Sequence, residues 1–557
     1  MIVFLFFVYF LKILFIQCMN QIKINIICLF LSVAMASGCY KDTGNYDYTD
    51  INRVEIKFEK SYYNVTQGDV LELTPTYPDF VTNNVGNYEF TWLLNDETKP
   101  EWNTMTFKSQ MNEAMDRSDL VIEVKDKKTD VVYMNKTSVT VTGVYTNDDS
   151  WMILSDDGGK SRLSFLSVTE LVDQDSDKQP EGSDQYYYEK ERFIPNVFIG
   201  ELGSGPIALQ EHWREGIDWG ENVIGNVCVF QKSGAVDLEG TGFTKEIDMK
   251  DAFMGKNYPA ANTVLYPGSF LTYTDVVCDQ DGKLYSRLKL SATVYNSEYF
   301  LSVPLKVSGE KEILEQCRVC RGYYAPNRIG HQVVYDGKNK RLLYLKDGSD
   351  DWDTPTEGAA CIIPITVNKD LTTGDIVPLN DHSGYDLLHI SQCGSTGAGS
   401  SSYYGFFEVL KDIEDNKLYI QKFDLTKKWT DDIPGITSIE KYELTGLPET
   451  PSVCAFPTYS PTEYAFFAVG QDLYMLDLVN KSGAELYYHF DSKITAMDYG
   501  SGRNVHLAVG LEDGSFFVLG AVAAKNIKDE HKLIYQSPEK VGKIVDIKFK
   551  NNSMWNY

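Results

Sequence analysis

From Ile51 onward, apolar residues alternate with polar ones, or run together, for about five to eight positions before Gly, Asn, Asp or Pro interrupts. Within residues 51–145 the stretches VEIKFE, VLELTPTY, YEFTWLL, LVIEVKD and SVTVTGVY carry this pattern. Period-two alternation puts every second side chain on one sheet face, so a β-sandwich of immunoglobulin-like type is predicted here. Trp92 lies mid-strand and is assigned to its core. The segment has no cysteine, so apolar burial alone must stabilise it.

Residues 146–557 stay β in character, with no long amphipathic helix. A hairpin recurs seven times: an apolar strand, a turn rich in Asp, Gly or Asn, then a second apolar strand. The turns centre on Gly158, Gly234, Gly282, Gly337, Asn416, Gln471 and Gly514. Tight hairpins require positive φ, which these residue types supply. A repeat of roughly sixty residues, each unit holding four short strands, predicts a β-propeller. Lys493-Ile-Thr-Ala-Met-Asp-Tyr499 leads into the last hairpin, and Lys543-Ile-Val-Asp-Ile-Lys-Phe549 repeats its pattern with no hairpin after it. The first hairpin, at Trp151, has no such strand before it. Pairing 543–549 with 151–155 would remove an open sheet edge. The fold expected is therefore all-β: a sandwich, then a propeller of seven blades closed by its N- and C-terminal strands, with eight blades as the competing count.

The N-terminus bears on compartment. Residues 1–38 contain two apolar runs, each short of the ~20 residues of a membrane span. The second has the parts of a signal peptide: Lys23, apolar Ile24 to Val33, then small Ala36-Ser37-Gly38 before Cys39. This resembles the lipobox of bacterial lipoproteins, in which Cys39 would be acylated and become the first residue; Ala36 stands where Leu is usual. Met19 reads as the true start, because MNQIKINIICLFLSVAMASGC is a complete signal by itself. The competing reading is a two-span membrane anchor. Residues 39–50, YKDTGNYDYTD behind the cysteine, form a polar tether.

Lys and Arg number 52 against 79 Asp and Glu, a net charge of −27. Such a surface repels phosphate and argues against nucleic-acid partners. Only 7 histidines are present, with no metal-ligand spacing. Seven cysteines follow Cys39: Cys228, Cys278, Cys317, Cys320, Cys361, Cys393 and Cys454. The pair Cys317-Arg-Val-Cys320 has no second pair with which to form a zinc site, so both are read as plain strand or turn residues.

Four segments invite a chemical reading. Ser155–Ser161 partly matches the Asp-box turn of sialidase-like propellers, with Arg162 where Trp belongs, and is read as a structural turn. Asp173, Asp175, Asp177 and Asp184 have EF-hand-like spacing, but Lys178 replaces the required Gly, so a solvated acidic loop is preferred over a calcium site. Trp352 lies among Asp347, Asp350, Asp351 and Asp353, the composition of a sugar- or peptide-binding surface. Trp213, Trp219, Tyr323, Tyr324, Tyr403 and Tyr404 lie in other inter-strand segments that could converge with it, packing between blades being the competing role. The Gly/Ser run 394–402 lacks a phosphate-loop Lys. No catalytic residue, metal or cofactor is assigned.

The lipidated start CYKDTGNYDYTDIN, the sandwich, and SWMILSDDGGKSRLSFLS together resemble the PKD-like family lipoproteins of Bacteroidetes. The resemblance implies an accessory lipoprotein of a SusC/SusD-type outer-membrane importer, working with companion lipoproteins to bind or present oligopeptide or glycan. It implies a lipid anchor in the outer membrane and exposure to the cell exterior. Asp42 behind Cys39 resembles a surface-export signal, from which Tyr40 and Lys41 depart. The alternative is a surface propeller glycoside hydrolase or lyase, which would bring carboxylates together ~5–9.5 Å apart.

Overall fold

The computed structural model describes residues 54–550 except 113, 147–148, 170, 174–185, 199, 213–224, 272–273, 289–298, 321–330, 347–360, 366–374, 394–402, 427–434, 458–463, 501–505, 522–526 and 528. The described chain is all-β. No helix among these residues is long and apolar enough to cross a membrane.

The first strands are β1 (Tyr62–Thr66), β2 (Val70–Leu73), β3 (Tyr88–Leu94), β4 (Phe107–Gln110), β5 (Met115–Asp126) and β6 (Val132–Thr142). They form a four-stranded sheet in the order β1-β6-β5-β3 and a two-stranded sheet β2-β4. In β3, Tyr88, Phe90, Trp92 and Leu94 are buried and the residues between them are not, which is the alternation seen in the sequence. Trp92 is fully buried, as expected. Its ring meets Phe107 of the other sheet at 5.5 Å, and its Nε1 donates to the Thr104 carbonyl at 2.8 Å. Two compact units are present, and their boundary runs through these strands. One takes in Pro75–Phe90, Glu123–Asn135 and the described residues up to Lys57; the other takes in Phe58–Thr74, Thr91–Ile122 and the described residues from Lys136.

The rest of the second unit is a succession of antiparallel sheets. The first contains β7 (Ser150–Asp157), β8 (Lys160–Val168) and, after the ribbon of β9 (Leu171–Asp173) and β10 (Tyr186–Tyr188), β11 (Glu191–Ile194). The second is β12 (Pro206–His212), β13 (Asn226–Gln231), β14 (Val236–Leu238) and β15 (Lys245–Asp248). The third has three strands among the described residues: β16 (Leu265–Phe270), β17 (Thr274–Asp279) and β18 (Leu284–Leu288). The fourth is β19 (Cys317–Val319), β20 (His331–Asp336), β21 (Arg341–Lys346) and β22 (Cys361–Pro364). The fifth is β23 (Tyr385–Cys393), β24 (Tyr403–Asp412), β25 (Leu418–Thr426) and β26 (Gly435–Glu443). The sixth is β27 (Val453–Ala455), β28 (Tyr464–Val469), β29 (Asp472–Asp477) and β30 (Glu485–His489). The seventh is β31 (Ile494–Tyr499), β32 (His506–Leu511), β33 (Phe516–Gly520) and β34 (Leu533–Gln536). Six of the hairpins read from the sequence are the central pair of a four-stranded sheet; the one around Gly282 is β17–β18 of the third, in which three strands are described. The turn near Gly337 takes its positive φ at Lys340 (53°), and the turn at Gln471 takes it at Gly470 (62°).

The last strand, β35 (Lys543–Lys550), returns to the first sheet. It pairs antiparallel with β7 from Lys543↔Asp156 to Lys550↔Ser150, giving the order β11-β8-β7-β35.

Alternation gives every sheet two apolar faces, and each face packs on the next sheet in sequence. Leu154 and Phe165 of the first sheet meet Leu209 and Val229 of the second. Ala208 and Phe230 meet Phe270 and Val277 of the third, and Val276 and Leu284 meet Val334 and Leu343 of the fourth. Tyr335 and Tyr344 meet Phe406 and Phe423, Phe407 and Val409 meet Phe467 and Leu476, and Phe466 and Leu473 meet Val509 and Leu519. The seventh cluster joins Ala508 and Val518 of the last sheet to Trp151, Ile544 and Ile547 of the first.

Polar bonds reinforce the returning strand on both flanks. Asp498 of β31 accepts from Lys548 Nζ at 3.0 Å and from the Phe549 amide at 2.9 Å. Asp546 accepts the Leu209 amide of β12 at 2.8 Å. Lys550 Nζ reaches Glu211 Oε1 at 3.2 Å and the Gly225 carbonyl at 3.1 Å, with both side chains at most 1% exposed.

A buried pair is costly to break and cheap to replace whole. Lys550→Met is expected to destabilise by about 3–5 kcal/mol in urea melts, because Glu211 keeps its charge without that partner. Adding Glu211→Leu is expected to recover most of the loss. Equal midpoints for Lys550→Met and the parent would contradict this.

Candidate binding site

Antiparallel order sorts the connections by edge. Links from first to second and from third to fourth strand leave one edge of each sheet. Second-to-third turns and the links between sheets leave the other. A cavity of about 580 Å³ opens at this second edge, beside the second sheet. The link from β11 to β12, the β13–β14 turn, β15 and the link to β16 build it.

Backbone bonds hold these segments together. The Lys232 amide donates to the Gly205 carbonyl at 2.8 Å, and the Ser233 amide to the Ser204 carbonyl at 3.2 Å. The Ser204 amide donates to Ser233 Oγ at 2.8 Å. Gly203 has φ +146°, and a Cβ there would lie 2.2 Å from Gln231 Nε2. Its missing side chain is the space in which the Gln231 carboxamide lies. Gln231 Nε2 donates to the Leu202 carbonyl at 2.8 Å, which fixes the amide orientation. Its Oε1, also buried, has no hydrogen-bond partner among the described residues. Across the cavity, the Tyr258 hydroxyl donates to the Thr263 carbonyl at 3.0 Å, and burial pushes its pKa up to about 12. Lys232, Lys245, Lys250 and Lys256 also line the space, with Glu201, Asp248 and Asp251.

A smaller cavity of about 360 Å³ lies at the same kind of edge, between the fourth and fifth sheets. Arg318 spans it, donating to the Leu387 carbonyl at 2.5 Å with its guanidinium 5.2 Å from the Tyr335 ring. Lys340 pairs there with Asp386 at 3.1 Å.

Most residues singled out in the sequence lie outside the described ones: Cys39, Trp213, Trp219, Tyr323, Tyr324, Asp350, Asp351, Trp352, Asp353, and the acidic-loop residues Asp175, Asp177 and Asp184. Tyr403 and Tyr404 begin β24, and Asp173 ends β9, with backbones described and side chains not. In chain order the aromatic and acidic candidates of the seven sheets all fall in, or border, first-to-second or third-to-fourth connections. The strand ends they border are opposite the cavity. The cavity's own signal in the sequence is the run of lysines 232, 245, 250 and 256 in a strongly acidic chain, with Gly203 and Gly205 before it.

The Asp-box-like turn is held by its own bonds. Asp156 Oδ1 accepts the Gly159 amide at 2.6 Å, Arg162 pairs with Asp157, and Ser155 Oγ donates to the Val541 carbonyl at 2.7 Å. Cys317 and Cys320 are buried and form no disulfide among the described residues, and the same holds for Cys228, Cys278, Cys393 and Cys454. Burial pushes the thiols of Cys317, Cys393 and Cys454 up to about 12. Two histidines the sequence reading left unassigned are buried against carboxylates, His212 on Asp237 and His382 on Glu408, each at 3.0 Å.

The PKD-like family matches residues 39–187. No curated protein matches the chain. Among solved structures, it is similar to a quinoprotein alcohol dehydrogenase-like protein from Bacteroides thetaiotaomicron, at 12% identity and TM-score 0.40, covering 89% of this chain and 99% of that one. AztD from Citrobacter koseri is similar at 10% identity and TM-score 0.33, covering 83% and 97%. BamB from Moraxella catarrhalis is similar at 8% identity and TM-score 0.27, covering 71% and 89%.

Two outcomes follow from this geometry. Gly203→Ala is expected to cost about 1–3 kcal/mol in denaturant melts, through strained φ and displacement of Gln231; an unchanged midpoint would contradict the packing described. A free thiol ionises near ~8.5, so a maleimide at pH 9.5 should leave the six buried cysteines unlabelled in the native chain and label them all in guanidinium, with sites assigned by mass spectrometry. Rapid native labelling of Cys317 or Cys320 would contradict their burial.

Proposed function

We propose that the chain is a lipid-anchored outer-membrane protein facing the cell exterior, an accessory subunit of a SusC/SusD-type importer that binds or presents oligopeptide or glycan. Acyl chains on Cys39 attach it, since two or more chains anchor stably where one does not. Residues 39–50 are the tether and 51–145 a PKD-like sandwich that spaces or docks the rest. Residues 146–557 form a seven-bladed propeller closed by β35. It works by binding, without chemistry of its own.

The observation that carries this reading is the cavity on backbone-zipped turns beside the second sheet. A site whose walls are already ordered loses little conformational entropy when a ligand enters. The seven inter-sheet clusters, with the last returning to the first sheet, support a rigid closed body. The family match over residues 39–187 and the cysteine behind a small-residue run support the surface lipoprotein.

Palmitate labelling in the native host is expected to mark the chain and to be lost in Cys39→Ala, with the unprocessed form accumulating. Affinity capture from detergent-solubilised outer membranes is expected to bring down a TonB-type transporter with its lipoprotein partner. Capture of the lipidated chain alone would contradict the importer assignment.

A further inference from the structure

We propose that the 580 Å³ cavity takes an acidic oligosaccharide, one carrying carboxylate or sulfate groups. The proposal rests on the reading of this cavity as the ligand site and narrows its chemistry.

The chain carries −27, so lysines elsewhere readily find acids: Lys108 meets Glu72, Lys136 meets Asp119 at 2.7 Å, and Lys543 meets Glu512 at 2.9 Å. In the cavity, Lys245 pairs with Asp248 at 3.2 Å, and Glu201 is held by Lys160 at 3.0 Å. Lys232, Lys250 and Lys256 are exposed and make no ion pair among the described residues, and Asp251 is the one lining carboxylate without such a pair. Three lysines without an ion pair against one such carboxylate leave the lining locally cationic in an acidic chain. Lys256 is placed there by a backbone in the left-handed region, φ 56°, just after Gly255 at φ 64°.

Cations alone would suit any anion. The remaining lining favours a hydroxylated one. Ser233 and Asn262 present hydroxyl and amide groups to the space. Tyr258, half-buried and edge-to-face with Phe253 at 5.1 Å, adds an aromatic side chain to the lining, its hydroxyl tied to Thr263. The volume falls within the ~300–1,000 Å³ of ligand pockets. The overall acidity then acts as a filter: anions are repelled by the surface at large and gain at this one place.

The test is calorimetric titration of the full lipidated chain in detergent with tetragalacturonate, a sulfated tetrasaccharide, maltotetraose and hexaglutamate. Binding of one or both acidic sugars is expected, with neither maltotetraose nor hexaglutamate matching it. Lys250→Gln with Lys256→Gln should weaken it by about tenfold or more, as should raising salt from ~50 to ~500 mM. The control pair Lys108→Gln with Lys136→Gln changes net charge equally and should leave affinity unchanged, and matching thermal melts establish that each variant is folded. Equal affinity in the cavity variant, preference for maltotetraose, tighter binding of hexaglutamate, or no binding of either acidic sugar would overturn the proposal. Importer capture is scored separately: a transporter without acidic-sugar binding sinks only this inference, and acidic-sugar binding without a transporter sinks only the importer assignment.

Discussion

The structure depends on one pairing, that of β35 with β7. Without it β7 would be an open edge of the first sheet, a row of unpaired amides and carbonyls. The pairing satisfies β7 and also puts residues from the end of the chain into the first sheet. Loop closure over nearly four hundred residues costs entropy that grows only slowly with length, so a strand of hydrogen bonds and two apolar flanks can offset it. The flanks are specific. Ile544 and Ile547 complete the cluster with the seventh sheet, and Lys550 reaches Glu211 of the second.

Hydrogen bonds and strand packing also hold the cavity in place. The cavity walls are turns and links, which move freely unless tied. Here they are tied twice, by backbone bonds between the β13–β14 turn and residues 204–205, and by their attachment to strands whose both faces are buried. Gly203 and Gln231 form the tightest contact of the set. A residue with no side chain sits where a buried carboxamide needs room, and the Leu202 carbonyl holds that carboxamide in one orientation.

The hairpins were legible because two local signals coincide at each: period-two apolar alternation and a turn residue tolerant of positive φ. The return of β35 was legible because residues 543–549 repeat 493–499 without a following hairpin. The turn near Gly337 was located correctly, but its strained residue is Lys340, since residue type constrains φ only loosely. The buried charges were not legible. Lys550 and Glu211 stand 339 positions apart, and nothing local marks either as internal. The cavity was missed for a related reason. Aromatic and acidic clusters stand out within a few residues of sequence, and drew attention to Trp352 and its neighbours. Lys232 lies in the β13–β14 turn and Lys250 and Lys256 in the link after β15, two segments that only the fold brings together.

Native-state hydrogen exchange across residues 543–550 tests the closure most directly. A chain terminus ordinarily frays and exchanges with little protection. If β35 closes the sheet succession, its amides should exchange only with global unfolding, at the same free energy as those of β7 and β32. Exchange of β35 within minutes, while β7 and β32 stay protected, would contradict the account.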